Sequence, residues 1–309
     1  MQKIFIILAV IIFSSTIEGQ MKMRNLQIVA DEPPAADRTD DAKPETANYV
    51  EINRLGVRKA LAEKNYGEAV GLFKRAVALA PDCSKCRFNL GRALLETGNY
   101  DAAIGVFDAL LADEPKNSDA LASLGEIYAN KGLVDESLPY FRRALEINPA
   151  DAVTLTNYAV GLTLLGKHAE ALENLDRAVK LKPDLAEAFS NRGYSLYLLG
   201  RRREALESLK KAAAIDPNIA EIHNNLGVVL DSFGKAAEAR AEYRKAVELK
   251  SDYPAAISNL AVNYLESGDR DAAYAQLRIL EKLDAGMAGQ LRELIWGKFV
   301  VNAAKVKTK

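Results

Sequence analysis

AEAFSNRGYSLYLLGRRREALESLKKAAAIDPNI (186–219) is followed at once by AEIHNNLGVVLDSFGKAAEARAEYRKAVELKSDY (220–253). Set one above the other, Gly193 meets Gly227, Asn191 meets Asn225, Gly200 meets Gly234, Ala205 meets Ala239 and Ala212 meets Ala246. A fixed period of 34 residues specifies a repeat architecture, in which each unit buries its apolar face on the next.

The period reaches outward in both directions. Pro81, Pro115, Pro149, Pro183 and Pro217 are each 34 residues apart, and Ser251 takes the next slot. Seven units follow: 50–83, 84–117, 118–151, 152–185, 186–219, 220–253 and 254–287. Apolar residues recur within each at three- and four-residue steps, the mark of an amphipathic helix. Gly98, Gly132, Gly166, Gly200, Gly234 and Gly268 stand near the middle of units 2 to 7. Each unit therefore reads as helix A, a tight turn, helix B and an exit turn. Proline suits that exit because it lacks an N–H and disfavours helix in the residue before it.

Position 8 of the unit is Gly91, Gly125, Gly193 and Gly227, with Ala159 and Ala261; unit 1 departs with Val57. Position 20 is Ala69, Ala103, Ala171, Ala205, Ala239 and Ala273, with Ser137. Small residues at these places let helices A and B approach closely. Position 24 is large (Phe73, Phe107, Phe141, Leu175, Leu209, Tyr243, Leu277) and is expected to fill space between neighbouring units. This pattern resembles the tetratricopeptide repeat family, over most of the chain. The resemblance implies an all-α fold, a right-handed superhelical solenoid of helix–turn–helix units. It also implies that the A helices face a concave groove that binds a protein or peptide partner.

The flanks read differently. Residues 1–19 carry one lysine, an unbroken apolar run from Ile4 to Phe13, and small or polar residues after it. Ten apolar residues are too few to span a bilayer, and the layout is that of a secretory signal peptide. Cleavage is expected after Thr16 or Gly19; an uncleaved anchor is the alternative and the one route to a membrane. The expected location is exported, periplasmic or extracellular. Residues 20–49, rich in Asp and Pro, are expected to be a flexible linker. Residues 288–309 are expected to form a capping helix through Leu291, Leu294, Ile295, Trp296, Phe299 and Val300, with Trp296 buried against unit 7. A basic tail of Lys305, Lys307 and Lys309 follows.

Position 6 of helix A is Asn89, Asn157, Asn191, Asn225 and Asn259, broken at Leu55 and Ser123. An asparagine offers one acceptor and one donor group, which together match a peptide backbone amide. This ladder resembles the one in the repeats of O-linked N-acetylglucosamine transferases, where inward asparagines hold extended polypeptide. Bonding between neighbouring helices is the competing reading. Val160, Tyr194 and Val228 at position 9 and Tyr197 at position 12 are the expected apolar contacts. Arg54, Arg58, Lys85 and Arg92 make the first half more basic, suiting an acidic partner end or simply solvated surface.

Cys83 and Cys86 form a C-x-x-C at the junction of units 1 and 2. A local disulfide is expected in an exported chain; idle thiols and a redox pair are the alternatives. Only His168 and His223 are available as further ligands, so no metal site or cofactor is expected. A net charge of −1 gives no bulk attraction to nucleic acid. The flanks are too short for a catalytic domain and no catalytic motif stands out, so the expected function is a non-enzymatic scaffold or adaptor. A redox-active factor using Cys83 and Cys86, or a self-assembling envelope component, is the alternative.

Overall fold

The computed structural model describes residues 44–306, with side chains from 49 to 297. Residues 1–43, which hold the expected signal segment and most of the expected linker, lie outside the described residues. The side chains of Phe299, Val300 and the lysine tail do so too.

Every described element is a helix. The A helices are α1 (Pro44–Leu61), α3 (Ser84–Glu96), α5 (Ser118–Asn130), α7 (Ala152–Leu164), α9 (Ala186–Leu198), α11 (Ala220–Ser232) and α13 (Pro254–Glu266). The B helices are α2 (Tyr66–Leu79), α4 (Tyr100–Asp113), α6 (Val134–Ile147), α8 (His168–Leu181), α10 (Arg202–Ile215), α12 (Ala236–Leu249) and α14 (Arg270–Leu283). A last helix, α15 (Ala285–Val306), follows after the single residue Asp284, whose side chain accepts from Met287 N at 2.8 Å. Helix α1 starts at Pro44, so residues 44–49, read above as linker, belong to unit 1. The chain forms two compact bodies, residues 44–161 and 162–306.

The A–B turn follows from one backbone requirement. Gly98 ends helix α3 with φ +73°, a left-handed conformation that costs glycine little. Gly98 N then donates to Leu95 O and Asn99 N to Leu94 O, five residues back, which satisfies the last carbonyls of the helix. The same five-residue bond recurs from Leu133, Lys167, Arg201, Lys235 and Asp269. Unit 1 differs: Lys64 carries the positive φ of 51°, and Asn65 N reaches six residues back to Lys59 O. Its turn holds one extra residue, so helix α1 is shifted by one against the 34-residue frame.

That shift corrects the reading of unit 1. Gly56, not Val57, occupies the small-residue position: a Cβ there would lie 2.6 Å from the Phe73 ring. Asn53 and Arg54 likewise move to positions 5 and 6. The role of position 24 also changes. A Cβ on Gly91 would lie 2.6 Å from Phe107, on Gly125 2.8 Å from Phe141, and on Gly227 2.5 Å from Tyr243. The large residue thus fills the hollow over position 8 of its own unit. It locks A to B within the unit and does not serve mainly as a spacer between units.

Within each body consecutive A helices touch, whereas consecutive B helices hardly do, so the A side is the inner side of the curve. In the second body one apolar cluster runs from Leu196 and Leu209 through Leu226, Tyr243 and Leu260 to Leu277. Met287, Ala288, Leu291 and Ile295 of α15 extend it, so α15 covers the last pair as a cap. Trp296 does not join them. It lies one residue, or about 100° of helix, beyond Ile295, and it is 53% exposed. The expectation that it would be buried is therefore wrong.

Candidate binding surface on the A helices

The position-6 asparagines turn inward and are spent, in large part, on the stack itself. Asn89 is fully buried and its Nδ2 donates to Asn53 Oδ1 at 3.1 Å. In the second body Asn225 Nδ2 donates to Ser190 Oγ at 3.4 Å and Asn259 Nδ2 to Asn224 Oδ1 at 2.8 Å. Each bond runs from position 6 of one A helix to position 5 of the A helix before it, once the shift in unit 1 is counted. Asn191 is buried and Asn157 is half-buried. Three of the five expected rungs, at Asn89, Asn225 and Asn259, are bonds between neighbouring helices.

The rungs do not use every atom. Asn89 Oδ1, Asn157 Nδ2, Asn224 Nδ2 and Ser258 Oγ are enclosed without a hydrogen-bond partner. All four stand at positions 5 and 6. Buried polar atoms nearly always have partners, and one left unmatched costs about 1–3 kcal/mol. Ser258 stands at position 5, where units 1, 5 and 6 receive a rung from the next A helix.

The expected apolar contacts are mostly core. Val160, Tyr194 and Val228 are buried. Tyr197 is half-exposed. Burial pushes the phenols of Tyr194 and Tyr197 up, so both stay neutral. The expected basic half keeps three of its four cations at the surface. Arg54, Arg58 and Lys85 are exposed, but Arg92 is only 2% exposed. Its Nη1 meets Glu126 Oε2 at 2.7 Å and its Nη2 meets Glu96 Oε1 at 3.5 Å. Both carboxylates lie on A helices, so position 9 of units 2 and 3 holds a buried ion pair where later units hold Val or Tyr.

These observations fit one family. Models described as tetratricopeptide repeat match residues 57–112, 88–152, 220–253 and 254–278, and one described as TPR repeat matches 162–200 and 193–231. The chain belongs to the tetratricopeptide repeat family. No curated protein sequence matches this repeat protein. Solved structures resemble it in fold. A tetratricopeptide repeat protein from Parabacteroides merdae is 16% identical with a TM-score of 0.63, over 81% of this chain and 99% of that one. PilF of Pseudomonas aeruginosa is 21% identical with a TM-score of 0.60, over 71% and 97%. A chain of the APC/C hetero-tetramer Cut9–Hcn1 is 18% identical with a TM-score of 0.65, over 82% and 49%.

Acidic residues stand on the A helices of the second body of this tetratricopeptide repeat protein. Glu187, Glu221 and Asp231 are half-buried and Glu266 is exposed, at positions 2, 12 and 13. No lysine or arginine stands at those positions in units 5 to 7. Lys250, from the turn, reaches Glu221 at 3.3 Å. Asp231 accepts from Tyr243 OH and Asn263 Nδ2, each at 3.0 Å. Even so, burial, with Glu266 nearby, pushes its carboxyl up to about 6. Below pH 3.8 the group is protonated whether the chain is folded or not. Between 3.8 and about 6 the unfolded chain loses the proton first, so stability falls as pH rises and stays lower above. Asp231→Asn will remove that fall and gain about 1–2 kcal/mol at pH 7, discounted for partial solvation. Urea denaturation of both proteins across that pH range reads the difference.

Elsewhere the expected histidines take structural places. His223 is buried, with Nδ1 2.7 Å from Glu242 and Nε2 2.9 Å from Pro217 O. His168 opens α8, half-buried. Arg201 pairs with Glu204 in its exposed turn. Cys83 and Cys86 are joined as a disulfide at the start of α3. No group of three or more metal-ligating side chains occurs among the described residues, and none of their helices is long and apolar enough to cross a membrane.

Proposed function

We propose that this protein is a non-catalytic scaffold or adaptor that holds a polypeptide segment along its A helices. The observation that supports this most is the set of unmatched hydrogen-bonding atoms on Asn89, Asn157, Asn224 and Ser258. In the first body they stand at position 6, where backbone-reading asparagines were expected, and in the second body at position 5. Asn157, half-exposed, can turn its amide towards a segment laid on its A helix. Over the second body the acidic rim favours a segment bearing Lys or Arg, replacing the expected apolar match. The expectation of an acidic partner end over units 1–2 loses Arg92, which Glu126 and Glu96 already neutralise. Export, expected from residues 1–19, completes the proposal, and the Cys83–Cys86 disulfide suits an oxidising compartment.

Peptides selected from a random library on the full chain will test it. Asn157→Ala and Tyr197→Ala change half-exposed members of the surface, so the fold should survive both. Each is expected to weaken the selected peptides by about tenfold or more, a loss of about 1.4 kcal/mol. Unchanged affinity for both variants, with helicity intact, would move recognition off the A helices.

A further inference from the structure

The geometry points to a thiol–disulfide exchange site at the start of α3, in which Cys83 and Cys86 pass their disulfide to a dithiol on a bound polypeptide. This goes beyond the scaffold reading and does not depend on it; one disulfide moves per chain.

The two sulfurs are held unequally. Cys83 is the N-cap of a 13-residue helix and is partly exposed. Its Sγ accepts from Cys86 N at 3.2 Å. Cys86, one turn on, is fully buried against Ile52, Leu72 and Ala76. A helix start presents unmatched N–H groups and a partial positive charge, which stabilise a thiolate placed there. Arg87 adds a cation in the same turn, paired with Asp113 at 2.6 Å. Beside it lies an open cleft of about 480 Å³ lined by Glu114, Pro115, Lys116 and Asn117. Ser84, between the cysteines, donates to Glu114, so the cleft and the disulfide share one wall. A purely structural staple needs neither an exposed leading sulfur nor space beside it.

The step balances without another reagent. A substrate thiolate attacks Cys83 Sγ, the exposed sulfur. The Cys83–Cys86 bond breaks, its electron pair goes to Cys86, and Cys86 takes a proton. The substrate's second thiolate then attacks the substrate sulfur bound to Cys83. That bond breaks and its electron pair returns to Cys83, as a thiolate held by Cys86 N–H. The substrate dithiol is oxidised to a disulfide, and the protein's disulfide is reduced to a dithiol.

The test uses the full chain, oxidised, with an unstructured peptide carrying two cysteines as probe and alkylation followed by mass measurement as readout. Oxidised peptide and reduced chain should appear one for one. With oxidised glutathione, Cys86→Ser should capture glutathione on Cys83 at least about tenfold faster than Cys83→Ser captures it on Cys86. Helicity of both variants is checked first; Cys86→Ala replaces Cys86→Ser if the buried hydroxyl disturbs the fold. No transfer from the wild-type chain to a tenfold excess of peptide, or equal capture at the two cysteines, overturns the proposal and leaves a structural staple.

Discussion

Arg92→Met will destabilise the first body by about 3–5 kcal/mol at neutral pH. The guanidinium is 2% exposed and Glu126 3%, so removing the cation takes the guanidinium from a carboxylate that water hardly reaches. Glu96 stands beside them, its own carboxyl already held above the usual range by burial. A carboxyl that ionises less readily in the fold than in the unfolded chain costs more stability as pH rises. The loss will therefore shrink when urea denaturation is repeated near pH 5. Pairing Arg92→Met with Glu126→Leu should restore most of it, because apolar residues of similar volume often replace a buried ion pair at little cost. A loss under about 1 kcal/mol for the single variant would mean that water reaches the pair.

The second large effect concerns Gly91 and Phe107. Gly91→Ala places a methyl 2.6 Å from the Phe107 ring, with that ring fully buried. Overpacking of this kind costs about 1–3 kcal/mol. Phe107→Ala does the opposite and opens a cavity, at about 3–5 kcal/mol. The informative variant combines Gly91→Ala with Phe107→Leu. Unit 7 already uses Ala261 with Leu277 at the same two positions. The double variant should therefore lose less stability than Gly91→Ala and Phe107→Leu lose in sum, and thermal denaturation of all three will show that non-additivity because the two sites touch. Additive losses would mean that the ring does not rest on the glycine.

Position 8 and position 24 show how far the sequence could be read. Every aromatic at position 24 stands opposite glycine, and every alanine at position 8 goes with leucine at position 24. That pairing was visible in the letters, and it also flags unit 1, where Phe73 needs a glycine and the strict frame offers Val57. The glycine one residue earlier was the available signal. The frame failed because the period counts residues, whereas a turn can absorb an extra one wherever its backbone allows it, as at Lys64. Helix order and turn sites were legible because each unit repeats the same chemistry. The fate of the asparagines was not, since a side chain at an inward position can bond a ligand or the next helix with the same atoms. Arg92 was misread for a related reason: its neutralising partner, Glu126, lies one full period away and looks like an unrelated surface charge.

The position of Trp296 bears on how the folding of this chain can be watched. It is the only tryptophan, and it stands on the outer side of α15 at 53% exposure. Its indole is already half exposed in the native state, so its emission changes less than that of a buried ring when the repeats come apart. The optical signal of unfolding resides instead in the tyrosines, of which Tyr243 and Tyr253 are packed in the interior of the second body. Ultraviolet bands from phenol, and amide dichroism from the helices, are the probes that see the solenoid melt.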